Sequence, residues 1–318
     1  MKKEIGGYFV LEKPESNGKE FYHDLLALNS GRNAFLFYFQ QMNFKKVFLP
    51  YYLCDSIYKI CLKNHIEYEQ YHVWRDFKPI FNKKLKNDEL LYIVNYFGQL
   101  DSDYIKKLHQ EYPNLIVDNV QCFYTLPIDD IPTIYSCRKF FGVPDGAYLS
   151  CVLKHDSLSI DNSSDRFNHL IGRLKDGASA HYKDFLENEK LFNELPIRLM
   201  SDDSKNILKS VNNEEIIKTR AENFCFLDSC LSKFNKIHVN KNTGPYCYPL
   251  FIEDGSSLRD ILIQNNIYIP LLWPNVLKEG NPLEKNMAQN ILPLPCDQRY
   301  NLNDMRKICR IIKKYAKK

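Results

Sequence analysis

The sequence predicts an α/β protein, with a large unit built on a mainly parallel sheet flanked by helices and a smaller α+β unit at the C-terminal end. Three observations predict it. Apolar runs alternate with helical patterns through the first half of the chain, which is the signature of βα units. From about residue 161 to residue 236 the chain turns polar and mostly helical, marking the way out of the first unit. Strand signals then return at residues 246–252, 267–270 and 291–295, ahead of a terminal helix.

The elements follow in order. Ser30-Gly31-Arg32-Asn33 opens a helix that runs through Gln41, with the serine as its cap. Lys46-Val47-Phe48-Leu49-Pro50 is a strand ending at proline, residues 54–64 are helical, and residues 66–73 form the next strand. Residues 90–97 are a strongly apolar run, predicting a buried strand, and residues 101–111 the helix after it. A fourth strand covers residues 115–118, and the alternation at residues 147–153 predicts another. A helix carrying Ile216, Ile217, Arg220, Phe224 and Leu227 bridges to the second unit. The expected units are therefore residues 1–215, including an N-terminal arm, and residues 216–318. The last helix sets Met305, Ile308, Ile311, Ile312 and Tyr315 at helical spacing against a basic, solvated face. No internal repeat or low-complexity stretch interrupts the chain.

Composition removes several functions. With 318 residues and 44% hydrophobic content, the chain has enough material for a sizeable core. The N-terminus has no apolar signal region, and no segment approaches the roughly 18 apolar residues of a membrane span, so a soluble cytoplasmic protein is expected. Ten cysteines without a Cys-x-x-Cys pair read as buried thiols in a reducing compartment, with neither a disulfide framework nor a metal site. The net charge of +4 is small and dispersed, which leaves nucleic-acid binding without support.

The residues that carry chemistry lie chiefly between positions 116 and 146. Lys139 closes the run Thr133-Ile134-Tyr135-Ser136-Cys137-Arg138-Lys139 and leads into the turn-rich Phe140-Phe141-Gly142-Val143-Pro144-Asp145-Gly146. A lysine there invites a Schiff base with a carbonyl. Upstream, Ile116-Val117-Asp118-Asn119-Val120-Gln121 delivers an acid at the end of a strand, where open α/β sheets build their sites. Together they point to pyridoxal 5′-phosphate, which needs four provisions. Lys139 is the catalytic amine, able to leave the cofactor, return, and shuttle a proton. Asp118 keeps the pyridine nitrogen protonated, so that the ring can absorb an electron pair, and Gln121 can donate to the ring oxygen. The helix start Ser30-Gly31-Arg32-Asn33 offers N–H groups, a dipole end and a close backbone approach to a phosphate, with Ser136 adding a hydroxyl. Tyr51, Tyr52 and Cys54, after Pro50, offer flat or polarisable groups to pack on the ring.

In order and local motif this set resembles the DegT/DnrJ/EryC1/StrS family of sugar aminotransferases, fold-type I enzymes that use pyridoxal phosphate. In that family a Ser-Gly helix start comes first, here Ser30-Gly31-Arg32, and a strand ending in proline precedes the ring-stacking residue, here Pro50 with Cys54 at the stacking offset. A Gly-Gln element follows, here Phe97-Gly98-Gln99, then an Asp-x-x-Gln pair, here Asp118 and Gln121, then the Schiff-base lysine and an acidic glycine turn, here Lys139 and Asp145-Gly146. Ile291-Leu292-Pro293-Leu294-Pro295-Cys296 resembles the family's ending. The resemblance implies fold-type I architecture and transfer of an amino group from glutamate to a nucleotide-linked keto sugar. It further implies a place in surface polysaccharide or amino-sugar biosynthesis, and a homodimer. The chain departs from the family in four respects. It is shorter, Ser136 stands three residues before Lys139 instead of five, and Cys54 replaces an aromatic, leaving Tyr51 or Tyr52 as substitutes. The segment whose asparagine reaches the partner's phosphate is reduced to Arg198-Leu199-Met200-Ser201, so that contact is not carried over.

Other functions stay open at this point. Ser136-x-x-Lys139 is also the nucleophile motif of penicillin-binding enzymes, although the chain offers only Ser201-Asp202-Asp203 and Lys241-Asn242-Thr243-Gly244 for their remaining motifs. A catalytically silent relative that binds a nucleotide sugar or a partner is the alternative from a different class. A sugar dehydratase of the same family carries histidine in place of the lysine, whereas this chain keeps Lys139.

Overall fold

The computed structural model describes residues 3–13 and 19–316. In chain order the first half forms β1 (Ile5–Gly6), β2 (Leu26–Leu28), α1 (Gly31–Gln41), β3 (Lys46–Pro50), α2 (Asp55–Lys63), β4 (Glu67–Val73), β5 (Pro79–Ile80) and β6 (Glu89–Val94). It continues with α3 (Ser102–Glu111), β7 (Leu115–Asp118), β8 (Thr133–Ser136) and β9 (Ala147–Ser150). Eight of these strands make one sheet in the order β2-β9-β8-β7-β6-β3-β4-β5. Its five inner strands, β8, β7, β6, β3 and β4, are parallel. Strands β9 and β5 run against their neighbours. Strand β2 is antiparallel to β9 and so runs with the parallel set. The architecture is the expected mainly parallel α/β sheet.

Burial explains these elements. Strands β6 and β7 are buried at every residue, as parallel strands covered on both faces must be. Helix α1 is buried from Asn33 to Phe39 and packs against β8 and β9, so it is an inner helix and not a one-sided surface helix. Its cap is Ser30, whose hydroxyl accepts the Asn33 N–H at 3.3 Å. The apolar run at residues 90–97 does not stay extended. The strand stops at Val94, and Tyr96–Gly98 forms a 3₁₀ turn with Phe97 at φ 54°, a conformation costly to a bulky residue. Three side chains hold it there. Gln121 Oε1 accepts the Phe97 N–H at 3.0 Å, and Asn242 and Gln99 donate to the Phe97 carbonyl at 3.0 and 3.1 Å.

The second half contains α4 (Asn168–Asp176), α5 (Tyr182–Leu191), α6 (Asp202–Lys209), α7 (Asn213–Leu231), β10 (Cys247–Phe251) and α8 (Gly255–Gln264). It ends with β11 (Ile267–Tyr268), α9 (Val276–Glu279), α10 (Pro282–Asn290), β12 (Ile291–Pro295) and α11 (Leu302–Tyr315). Strands β10 and β12 form an antiparallel ladder from Cys247 opposite Pro295 to Phe251 opposite Ile291. Helices α7 and α11 contribute Phe224, Leu227, Leu231, Met305, Ile308 and Ile312 to the core on this ladder, each worth roughly 1.5–3 kcal/mol of burial. Strand β1 pairs in parallel with β11, Ile5 opposite Ile267, bringing the start of the chain onto its last quarter. A third core, made largely of aromatic rings including Tyr22, Phe123, Tyr135, Phe140, Phe141 and Tyr148, lies under the turn that carries Lys139. No described helix is long and apolar enough to cross a membrane.

Candidate active site

Parallel strands deliver their C-terminal ends to one edge of a sheet, and the order of this one reverses between β3 and β6, where such sheets open a crevice. A cleft of about 770 Å³ lies there. Cys54 enters it after β3, Asp118 and Gln121 at the end of β7, and Ser136, Arg138 and Lys139 at the end of β8. Ser30, Gly31 and Arg32 enter from the start of α1.

Asp118 is the last residue of β7 and is 5% exposed. The Tyr92 hydroxyl donates to its Oδ2 at 2.7 Å and the Val120 N–H to its Oδ1 at 2.9 Å. Burial pushes this carboxyl above the usual range, opposed by the charge of Lys139 and by the bonds from Tyr92 and Val120. A buried carboxylate oriented at both oxygens is a receptor for a cation. Gln121 is buried beside it, and because its Oε1 is held by Phe97, its amide N–H₂ is the group left to donate into the cleft. Lys139 lies half-buried in the turn after β8, where the Phe140 and Phe141 N–H groups both reach the Cys137 carbonyl at 2.9 Å. Arg220 and Gln298 brace that turn from behind, donating to the Phe140 carbonyl at 3.1 and 2.8 Å.

The other end of the cleft is cationic. Arg32 stands on the first turn of α1, and Arg138 immediately precedes Lys139. Both meet Glu189 of α5, Arg138 through a direct hydrogen bond and Arg32 at 3.8 Å. Burial alone would raise the Glu189 carboxyl, but Arg138, Arg32 and Lys139 together hold it below the usual range. The roof comes from distant parts of the chain. Tyr8 stacks on Phe185 at 4.9 Å, and Arg299, paired with Asp297 at 2.7 Å, donates to the Tyr8 carbonyl at 2.9 Å. His169, also in the roof, is lowered by burial from 6.5 to about 4. This donor set fits pyridoxal 5′-phosphate at both ends: an acid for the ring nitrogen, and two guanidiniums with a helix N-terminus for the phosphate.

No family model matches the sequence, and no curated protein does. Solved structures do. PseC of Helicobacter pylori, an aminotransferase involved in the biosynthesis of pseudoaminic acid, gives a TM-score of 0.66 at 12% identity over 98% of this chain and 99% of its own. DesV of S. venezuelae, solved in complex with a ketimine intermediate, gives 0.65 at 12% over 92% and 85%. A DegT DnrJ EryC1 StrS aminotransferase from Brucella abortus gives 0.59 at 15% over 92% and 86%. The chain has the fold-type I aminotransferase fold.

Within that aminotransferase fold, seven of the nine residues expected at the site line one cleft: Lys139, Asp118, Gln121, Ser136, Gly31, Arg32 and Cys54. Asn33 and Tyr52 do not. Asn33 is buried, its N–H capped by Ser30 and its amide turned to the carbonyls of Leu195 and Pro196 and to Asn29. Tyr52 is buried against Trp273, ring centroids 4.6 Å apart, because the strand has already ended and no longer aims alternate residues at the edge. Tyr51 is absent from the lining as well and stacks on His72 at 4.5 Å. Sequence reasoning did not assign Arg138, Glu189, Tyr8 or His169 to the site. Only Arg138 had a local signal, its place beside Lys139. Among the described residues no three His, Cys, Asp or Glu side chains converge as metal ligands would.

Proposed function

We propose that the protein is a pyridoxal 5′-phosphate-dependent aminotransferase of the DegT/DnrJ/EryC1/StrS family, moving an amino group from glutamate to a nucleotide-linked keto sugar for surface polysaccharide or amino-sugar biosynthesis. The same reading makes it a cytoplasmic homodimer whose two units divide at residues 215 and 216. The observation that carries it is the meeting of Lys139 and Asp118 in one cleft at the C-terminal edge of the parallel sheet. The likeness to the three solved aminotransferases supports it.

The cofactor, when bound, would supply an electron sink for the pair released when the substrate's C–H bond breaks. The chain does the rest. Asp118 holds a protonated ring nitrogen, with Tyr92 and Val120 fixing its two oxygens so that neither rotates to solvent. Gln121 donates from its amide. The α1 N-terminus, Arg32, Arg138 and Ser136 hold the phosphate. Lys139, placed by its braced turn, would be the base that takes the proton from the substrate carbon and the acid that returns it, work commonly worth roughly 10²- to 10⁴-fold in rate. The Tyr8 and Phe185 rings cover the cleft and exclude water from that transfer.

The test is the visible absorption spectrum of the protein with pyridoxal phosphate, before and after borohydride, followed by peptide mass mapping, in the wild type and in Lys139→Ala. A band that borohydride bleaches, with the label on Lys139 and neither band nor turnover in the variant, is expected. No band and no label would sink the aminotransferase and favour a silent nucleotide-sugar binding protein.

A further inference from the structure

A carboxylate of the chain itself sits at the phosphate end of the cleft. Glu189 faces Arg138 and Arg32, with Phe192, fully buried, as the platform under both guanidiniums, 4.0 and 5.9 Å from its ring centroid. Glu189 lines the same cleft as Gly31, Ser136 and Lys139. Two charges matter to the balance. A phosphate ester brings about −1.5 to −2 near neutral pH, which Arg32 and Arg138 alone would match. Glu189 already accepts from Arg138, so a phosphate oxygen and the Glu189 carboxylate compete for the same guanidinium, whatever charge Lys139 adds nearby.

The surroundings of Glu189 carry a second sign of an alternative position for its side chain. Asn188, next to Glu189, is 4% exposed, and neither its amide nitrogen nor its amide oxygen has a hydrogen-bond partner. Burying both unpartnered is costly, so a hydrogen-bonding amide stands ready beside Glu189 to meet its carboxylate in a second position.

We propose that Arg32 and Arg138 form a phosphate clamp supplied by one chain, and that Glu189 is its resident competitor, its carboxylate swinging off the guanidiniums when a phosphate group enters while Phe185 of the same helix stays on the roof. The clamp stands in for the partner-subunit contact whose sequence segment this chain lacks. The proposal rests on the cofactor reading above for the identity of the natural phosphate, and its test separates the two. Inorganic phosphate is titrated by calorimetry into the wild type, Glu189→Gln and Arg138→Met. Glu189→Gln should bind phosphate at least tenfold more tightly and Arg138→Met at least tenfold more weakly. Borohydride labelling of Lys139 should shift in the same direction with pyridoxal phosphate, but not with pyridoxal, which has no phosphate. Unchanged or weaker phosphate binding by Glu189→Gln overturns the proposal. Absence of Lys139 labelling in every protein overturns the cofactor reading instead, and the phosphate titration still decides the role of Glu189. If Glu189→Gln does not fold, Glu189→Ala decides by the same titration: phosphate binding at least tenfold tighter is expected, and unchanged or weaker binding rejects the competitor.

Discussion

The roof of the cleft turns one histidine into a source of acid sensitivity. His169 is 4% exposed, with the rings of Tyr8 and Phe185 at 5.9 and 5.8 Å. Burial, helped by the charge of Arg138, lowers it from 6.5 to about 4. Between those values the unfolded chain takes up a proton that the folded histidine refuses, so this stability is complete above pH 6.5 and lost as pH falls toward 4. At about 1.4 kcal/mol per unit the loss approaches roughly 3 kcal/mol. Asp118 has the opposite sign, since its raised carboxyl makes the folded state bind the proton more tightly, and the cost grows as pH rises through its raised value. His169→Phe keeps the ring and removes the titration. Urea unfolding at pH 7 and pH 4.5 should show a smaller loss in His169→Phe than in the wild type, and equal losses would clear His169.

At the scale of elements, the segment after β1 crosses the Lys139 turn at Gly142. A Cβ there would meet the Val10 carbonyl oxygen at 1.6 Å and its carbon at 2.6 Å, both backbone, so no rotamer makes room. The crossing is tied by the Glu12 N–H to the Gly142 carbonyl and by the Gly142 N–H to Glu12 Oε2, each at 3.0 Å. Gly142→Ala should lift this strap at a cost of about 1–3 kcal/mol. Limited proteolysis with mass mapping should then cut between residues 8 and 13 faster than in the wild type; unaltered cutting would show that the strap yields without detaching. Legibility in the sequence followed locality. Residues 31–41, 46–50, 115–118 and 291–295 were readable because a periodic face or an unbroken apolar run is written in neighbouring residues. Strands β1 and β2 are two or three residues long and exist through distant partners, and β5 is a two-residue return from β4. The same holds at the site. Lys139, Asp118 and Gln121 hang from strand ends and could be placed, whereas Glu189 looks like any acid on a polar helix. Tyr52 was misplaced because alternation stops informing once the strand ends at Pro50.

At the scale of the whole molecule, Arg220 is the joint. It is fully buried on α7 and donates to the Pro245 carbonyl at 3.0 Å, the Phe140 carbonyl at 3.1 Å and Gln298 Oε1 at 2.9 Å, so one side chain ties the C-terminal ladder to the Lys139 turn. Arg220→Met fills much of the same volume and leaves those acceptors without their donor, at about 1–3 kcal/mol for each group stranded. An unfolding free energy lower by roughly 3 kcal/mol in denaturant titration is expected, with slower labelling of Lys139 by pyridoxal phosphate; a free energy unchanged within about 0.5 kcal/mol would leave the turn to be held by Gln298 alone. The roof has its own long reach. Gly6 donates to the Tyr300 hydroxyl at 2.7 Å across 294 residues, and β1 has no partner until β11 exists. During synthesis at roughly 5–20 residues per second, Lys139 and Asp118 therefore emerge several seconds before the chain that covers them. The floor of the cleft thus precedes its cover along the chain, and the pairing of Ile5 with Ile267 and of Gly6 with Tyr300 is what draws the first residues over it.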